Sequence, residues 1–297
     1  MQLPTDQQGW ILFSLFCLFA LFALIQVWHY GWFFSRLAFY RYRDRPTSTP
    51  PASILICARN EAANLEKNLP SIMEQDYPDF EVVVVNDCSW DESELLLKNF
   101  STQYPNLKVI TIKEDEYFSH GKKVAVMVGI KGAKSEYLLF TDADCKPASD
   151  QWLKLMMQPF DQHCDIVLGY GAYEKEKGFI NKLIRFDAFS IALLYMSMSM
   201  AKRPYMGVGR NMAYKRSLFF KTKGFASHYH IESGDDDLFV NEAATSVNTF
   251  PVILQDSITI SAPKNTLRDW LRQKRRNTTT FRHYKLSTRL RLSTFGL

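Results

Sequence analysis

The stretch Tyr137-Leu138-Leu139-Phe140-Thr141-Asp142-Ala143-Asp144-Cys145 carries the reading of this chain. A short run that is hydrophobic on both faces suits a strand buried in a parallel sheet, and ligands of such sheets lie beyond the strands' carboxyl ends. Asp142 and Asp144 stand at that end, spaced i and i+2. Two carboxylates leaving a strand together can hold a divalent cation, which in turn can bridge two phosphates of a nucleotide. Taken alone, the pair also suits a helix cap or a solvated turn.

Four further runs resemble the first: Ser53–Cys57, Glu81–Asn86, Leu107–Ile112 and Asp165–Gly169, the Asp142 strand itself covering Glu136–Thr141. Between them, residues 61–73, 91–100 and 121–133 space their apolar side chains by three and four, as helices do. Alternating strands and helices predict an α/β fold, a Rossmann-like and mostly parallel sheet with helices on both faces. The strand ends then present Arg59-Asn60-Glu61, Asp87 and the Asp142/Asp144 pair. No G-x-G-x-x-G follows the first strand, which argues against NAD or FAD.

Length and composition narrow the field. The 297 residues include 22 Phe, 14 Tyr and 6 Trp, too much aromatic surface for a disordered chain. The five cysteines (Cys17, Cys57, Cys88, Cys145 and Cys164) contain no C-x-x-C pair, which excludes that zinc or redox motif and suits reduced thiols. Charge is unevenly distributed: residues 264–297 hold ten basic groups against Asp269 alone, while residues 46–263 hold 22 basic and 28 acidic groups. A basic tail beside an acidic body fits a domain held at an anionic surface better than a nucleic-acid binder.

From Trp10 to Trp28 no residue is charged, and a helix of that length spans roughly 28 Å, about the hydrocarbon thickness of a bilayer. Trp10 at one end and Trp28, Tyr30 and Trp32 at the other suit the two interfaces. No Lys or Arg precedes the run and no small-x-small site follows it, unlike a cleaved signal peptide. Only Asp6 lies before it, whereas Arg36, Arg41, Arg43 and Arg45 follow, so the positive-inside rule puts the body in the cytoplasm. Residues 1–45 are thus expected to be a single-pass inner-membrane anchor with a basic flank. Pro46, Pro50 and Pro51, with Thr47, Ser48 and Thr49, read as a linker opening a catalytic domain over 46–263.

The motifs also form an ordered series. Ser53-Ile-Leu-Ile-Cys-Ala-Arg-Asn-Glu61, Val82-Val-Val-Val-Asn-Asp-Cys-Ser-Trp-Asp-Glu-Ser93, Gly121-Lys-Lys-Val-Ala125 and Phe140-Thr-Asp-Ala-Asp-Cys145 come first. Gly209-Arg-Asn-Met-Ala-Tyr-Lys-Arg216, Gly234-Asp-Asp-Asp-Leu238 and Gln273-Lys-Arg-Arg276 follow. Together, over residues 53–277, this series resembles the family 2 glycosyltransferases, which have the GT-A fold and use nucleotide-diphospho-sugars. The resemblance implies that Asp87 binds uracil, with Arg59 and Glu61 around the nucleoside. It puts Asp142 near the ribose and diphosphate, Asp144 on Mg2+ or Mn2+, and Lys122 near the nucleotide; locally, Lys122 also reads as a solvated lysine opening a helix. The same resemblance makes Asp235 the catalytic base, with Asp237 as the intervening acid, or alternatively Asp236. Read alone, the three acids suit a solvated helix start. Gln273 and Arg276 match the Gln-x-x-Arg-Trp signature of membrane-bound, often processive members, but Asn277 replaces its Trp and Met127 replaces an Asn common after the lysine.

The chemistry explains such an inventory. A departing diphosphate gathers negative charge, which a cation and basic side chains stabilise, while a carboxylate on the sugar's far face takes the proton of the acceptor hydroxyl. The expected activity is inverting transfer of a sugar, with UDP as the expected carrier, to a lipid-linked or polysaccharide acceptor at the cytoplasmic face. A haloacid-dehalogenase-like phosphatase shares the Asp-x-Asp, yet Lys146 replaces the Thr or Val that family carries, and the pair follows the fourth strand rather than the first. A nucleotide-sugar-binding scaffold without turnover is the other alternative; Asp144 and Asp235 weigh against it.

Two segments point to lipid. Residues 179–201 are apolar but interrupted by Lys182, Arg185 and Asp187, which reads first as a core helix and second as a lipid-facing one or the wall of an acceptor groove. Residues 264–297 interleave Leu267, Trp270 and Leu271 with arginines, as an interfacial helix on anionic lipid does; an RNA-binding tail is the alternative. Relatives usually continue into further spans, and an end at Leu297 fits either a shortened chain or a single-anchor variant.

Overall fold

The computed structural model describes residues 6–41, 49–113, 121–160, 163–231 and 233–294. Arg43, Arg45, Pro46, Thr47 and Ser48, on which part of the basic flank and linker rests, lie outside the described residues.

The chain opens with the helix α1 (Gln7–Ala38), capped by Asp6, whose carboxylate accepts from Gly9 N at 3.2 Å. The body follows as β1 (Ala52–Ala58), α2 (Ala62–Met73), β2 (Phe80–Asp87), α3 (Ser93–Gln103), β3 (Leu107–Ile112), α4 (Lys122–Gly132) and β4 (Tyr137–Asp142). Next come β5 (Cys145–Pro147), α5 (Trp152–Met157), β6 (Ile166–Leu168), β7 (Gly171–Tyr173), α6 (Phe179–Met200), β8 (Met212–Lys215) and α7 (Arg216–Lys221). The last elements are α8 (Asp237–Ala243), β9 (Thr249–Pro251), β10 (Thr259–Ser261), α9 (Leu267–Thr278) and α10 (Leu286–Ser293), with a 3-10 turn at Thr279–His283.

Seven strands form the main sheet in the order β3-β2-β1-β4-β8-β6-β9. The first four are parallel, with Ala58 beside Asn86 and Cys57 beside Asp142. Their alternating side chains serve two cores: Leu55, Val83, Leu138 and Phe140 face one, and Ile54, Ile56, Val82, Val84 and Leu139 the other. Burial on both faces is what makes these strands uniformly apolar.

The fifth expected strand exists as β6 but does not join β4. Met212–Lys215 inserts between them as β8, antiparallel to both, so the sheet is mixed. A second sheet, β5-β10-β7, holds Cys145–Pro147 immediately after Asp144. Both arrangements are long-range pairings of three or four residues, too short to carry a local signal.

The segment over 179–201 does become a core helix on one face. Ile184, Ala192, Tyr195 and Met196 of α6 are buried, whereas Phe179, Phe186 and Phe189 are exposed. The last turns of α1 pack on this helix, burying Phe33 among Ala192 and its neighbours. The basic tail begins as α9, whose Thr266 cap accepts from Asp269 N and whose Lys274 Nζ sits 2.7 Å from Asp187 of α6.

Candidate active site

β4 ends at Asp142, beside Cys57 of β1, and the chain turns through Ala143 and Asp144 into β5. Side-chain oxygens of Asp142 and Asp144 and the Cys145 sulfur all lie within 4.8 Å of one another. Burial and then the Asp142 charge raise the Asp144 carboxyl above its ordinary range. Burial raises Glu61 as well, with Asp144 and Asp142 adding to the effect. Asp142 and Asp144, close together and in mutual repulsion, could serve as oxygen donors to a divalent cation, with Glu61 near enough to feel their charge. The Cys145 thiol is a softer donor than the carboxylates; burial raises it, and it pairs with Ser261 Oγ at 2.9 Å.

Lys122, the first residue of α4, reaches across from the neighbouring connection. Its Nζ donates to Asp142 Oδ1 at 2.9 Å and lies 3.5 Å from Asp235 Oδ2. Burial alone would favour the neutral amine; Asp142, Asp235 and Asp236 outweigh it and hold the ammonium charged. Conversely, burial opposes the Asp142 charge, and Lys122, helped by Arg210 and Arg276, pulls that carboxyl below its usual range.

The three acids before α8 have three different surroundings. Gly234 precedes them at φ +96, a left-handed conformation in which a Cβ would also meet Leu238 at 2.4 Å. That turn aims Asp235 at Lys122. Asp236 turns the other way: its Oδ2 accepts from Gly209 N at 2.8 Å and its Oδ1 from Asp237 N at 2.7 Å. Burial, followed by the charges of Asp235 and Asp237, pushes Asp236 up to about 7. Asp237 is 7 % exposed and points inward to Thr280 and Tyr284. The triplet is therefore not the solvated helix start that its composition suggests.

Other expected residues occupy the rim. Asp87 closes β2 almost fully buried, and its Oδ1, like both polar atoms of the Asn86 amide, has no hydrogen-bond partner among the described residues. Arg59 lies 5.7 Å above the exposed Trp90 ring, apart from the carboxylate cluster. Of the tail residues, Arg276 acts on Asp142 through its charge, and Gln273 buries a side-chain oxygen that has no partner among the described residues. The structure thus gathers Lys122, Asp142, Asp144, Asp235 and Asp236, with Glu61 at their edge.

Two basic residues were not expected. Arg210 is stacked over Tyr173 at 4.3 Å, donates to Gly171 O at 2.8 Å, and lowers both Asp142 and Asp144. Lys264 acts on Asp144 and Glu61. Arg210 was visible within Gly209–Arg216, but its destination depends on the β8 insertion; Lys264 had no local signal.

The family model described as glycosyl transferase family 2 matches residues 53–225. Glycosyltransferase AglE of Haloferax volcanii is 39 % identical over 36 % of this chain and 35 % of its own length. The GalNAc(5)-diNAcBac-PP-undecaprenol β-1,3-glucosyltransferase of Campylobacter jejuni is 25 % identical over 75 % of this chain and 71 % of its own. The chain therefore spans only about a third of the first of these relatives. Among solved structures, the mannosyltransferase PcManGT of Pyrobaculum calidifontis, in complex with GDP-Man and Mn2+, superposes with a TM-score of 0.69 at 22 % identity, covering 90 % of this chain and 74 % of that one. TarS 1-349 of S. aureus with UDP-GlcNAc gives 0.52 at 22 % identity, covering 73 % and 59 %. These likenesses establish the GT-A-like α/β fold, and the family match displaces the phosphatase alternative. Since that match covers more than half of the residues, the chain belongs to glycosyl transferase family 2.

Proposed function

We propose that this protein is an inverting glycosyltransferase that moves a sugar from a nucleotide-diphospho-sugar, with UDP as carrier, to a lipid-linked or polysaccharide acceptor at the cytoplasmic face of a membrane. One observation carries the reading: Lys122 links Asp142 of β4 to Asp235 before α8, so donor-side and base-side carboxylates share one cleft.

In this reading Asp144, with Asp142, holds Mg2+ or Mn2+, and the bound cation supplies positive charge to the leaving diphosphate. The oxygen donors and their mutual repulsion fit such an ion, and a Mn2+-bound neighbour of the same fold supports it. Lys122 adds a fixed positive charge beside the diphosphate. Asp235 accepts the acceptor's proton, since Asp236 is already engaged as an acceptor by two backbone N–H groups. Attack from the side opposite the leaving group inverts the anomeric carbon. The unpaired Asp87 carboxylate oxygen suits an N–H of the base, with Arg59 and Glu61 flanking the nucleoside. Gln273 and Arg276 of α9 contribute to substrate binding, Arg276 standing near enough to Asp142 to act on its charge.

Residues 1–45 act as the membrane anchor, 46–263 as the catalytic domain and 264–297 as an interfacial segment. Support comes from α1, which is long and apolar enough to cross a membrane, and from the exposed Leu267 and Leu271 of α9 among its arginines. Turnover of radiolabelled UDP-sugars by the membrane-embedded protein tests the proposal. Activity should be present in the wild type and absent from Asp144→Asn and Asp235→Asn; equal rates in all three would leave only a binding scaffold.

A further inference from the structure

Asp237 carries a buried carboxylate that the proposed reaction does not use. Its Oδ2 accepts from Tyr284 OH at 2.8 Å and from Thr280 Oγ1, and its Oδ1 accepts from Leu238 N at 2.7 Å. A carboxylate taken out of water is tolerated only where donors replace its hydration. Here the side-chain donors come from the far end of the chain.

They belong to a longer seam. Asn241, one turn along α8, accepts from Lys285 N at 2.9 Å, and Lys285 Nζ donates to Glu242 O at 3.1 Å. Beyond α10, Thr294 meets His29 of α1 at 3.1 Å. A continuous set of contacts thus runs from the anchor helix through the C-terminal segment to the first turn of α8. Asp235 lies two residues before Asp237, in a left-handed turn, with one charged contact to Lys122 at 3.5 Å. Its backbone is fixed by its neighbours: Asp236 ties it to Gly209, and Asp237 ties it to the tail.

We infer that Asp237 is a positioning residue, latched by Thr280 and Tyr284, and that the 279–284 segment sets the alignment of Asp235 as well as packing beneath it. This inference rests on Asp235 being the base. Loss of the latch lets the Asp235 turn drift, which slows the chemical step and leaves donor binding, made by Asp87, Asp142 and Asp144 on other elements, as it was.

The experiment compares Thr280→Val, Tyr284→Phe and their combination with Thr280→Ser and Asp235→Asn, all in the full chain embedded in membrane. kcat, the donor KM and UDP affinity are measured well below the unfolding temperature. The double variant should lose about tenfold or more in kcat, the scale expected of a misplaced catalytic group, with donor KM and UDP affinity within about twofold. Thr280→Ser should keep the wild-type rate. Tyr284→Phe keeps its ring against Tyr205 and Phe281, so it serves where the double variant does not fold. Variants lacking the latch that melt earlier yet turn over at the wild-type kcat, or that change KM alone, would overturn the positioning role while Asp235→Asn stays inactive. An active Asp235→Asn would instead remove the base assignment on which the inference stands.

Discussion

Lys122 Nζ stands 2.9 Å from Asp142 Oδ1 and 3.5 Å from Asp235 Oδ2, so a single ammonium joins the end of β4 to the turn before α8. The two carboxylates are 93 positions apart in sequence. Their meeting follows from topology: β4 is central, and β8 brings Gly209 and hence the Asp236 turn against it. The ammonium balances both carboxylates at the mouth of the cleft. A diphosphate entering beside Asp142 would compete for the same ammonium and leave Asp235 free to accept a proton.

Replacing Lys122 by Met leaves Asp142 and Asp235 without their cation and, in the proposed reaction, would remove positive charge from the transition state. A fall of about a hundredfold in kcat/KM is expected, in the range found for losing one preorganised electrostatic group. Lys122→Arg should recover part of it. Steady-state kinetics with varied donor gives the comparison, and an unchanged kcat/KM in Lys122→Met would remove this residue from the site.

Asp236 gives stability a pH dependence. Its carboxyl sits at about 7 in the fold against an ordinary value of 3.8. Between those values the folded chain keeps a proton that the unfolded chain has lost, so stability falls as pH rises, and the cost is complete above about 7. Asp236→Asn cannot ionise and retains an oxygen for Gly209 N. Its stability relative to wild type should be more favourable at pH 8 than at pH 5, as read by denaturant unfolding. A gap that is the same at both pH values would contradict the raised carboxyl.

The sequence and the structure agree where interactions are local and part where they are not. β1 to β4 and α2 to α4 fall within a few residues of their apolar patterns, because each is long enough for burial to leave a period. β8, four residues long, has no such period, and it lies between β4 and β6, antiparallel to both. Asp142, Asp144 and Lys122 were legible because they stand at strand and helix ends. The triplet Asp235-Asp236-Asp237 was singled out as well, through the resemblance, but how its members divide was not legible: three identical letters acquire separate surroundings from Lys122, Gly209 N and Tyr284 OH. Arg210 and Lys264 act through charge from elements distant in sequence, which no spacing reports.

Metal removal supplies a further test of the Asp142/Asp144 pair. Protein stripped with EDTA should show little thermal stabilisation by UDP, and Mn2+ or Mg2+ should restore it, because the diphosphate of UDP would face carboxylates with no cation between them. Saturation at about a hundred times Kd corresponds to about 2.7 kcal/mol of stabilisation, easily read as a shift in melting temperature. Asp144→Asn should need more metal to reach the same shift. A UDP shift that survives EDTA undiminished would show that nucleotide binding needs no ion here.

The orientation of the body is testable by protease access. At 1.5 Å per residue the 32 residues of α1 extend about 48 Å, beyond the roughly 30 Å of a bilayer core. With α1 spanning a bilayer as proposed, its final turns would emerge, and there Phe33 packs against α6 and His29 meets Thr294, which would hold the body close to the surface. Arg36 and Arg41 flank that emerging end, while Asp6 is the charge near the other. For the proposed single-pass anchor, the positive-inside rule predicts that residues 49–294 face the cytoplasm. Protease added to inverted inner-membrane vesicles should digest the body, and right-side-out vesicles should protect it until permeabilised. Digestion in the right-side-out preparation alone would reverse the topology and exclude cytosolic nucleotide-sugars as the direct donor.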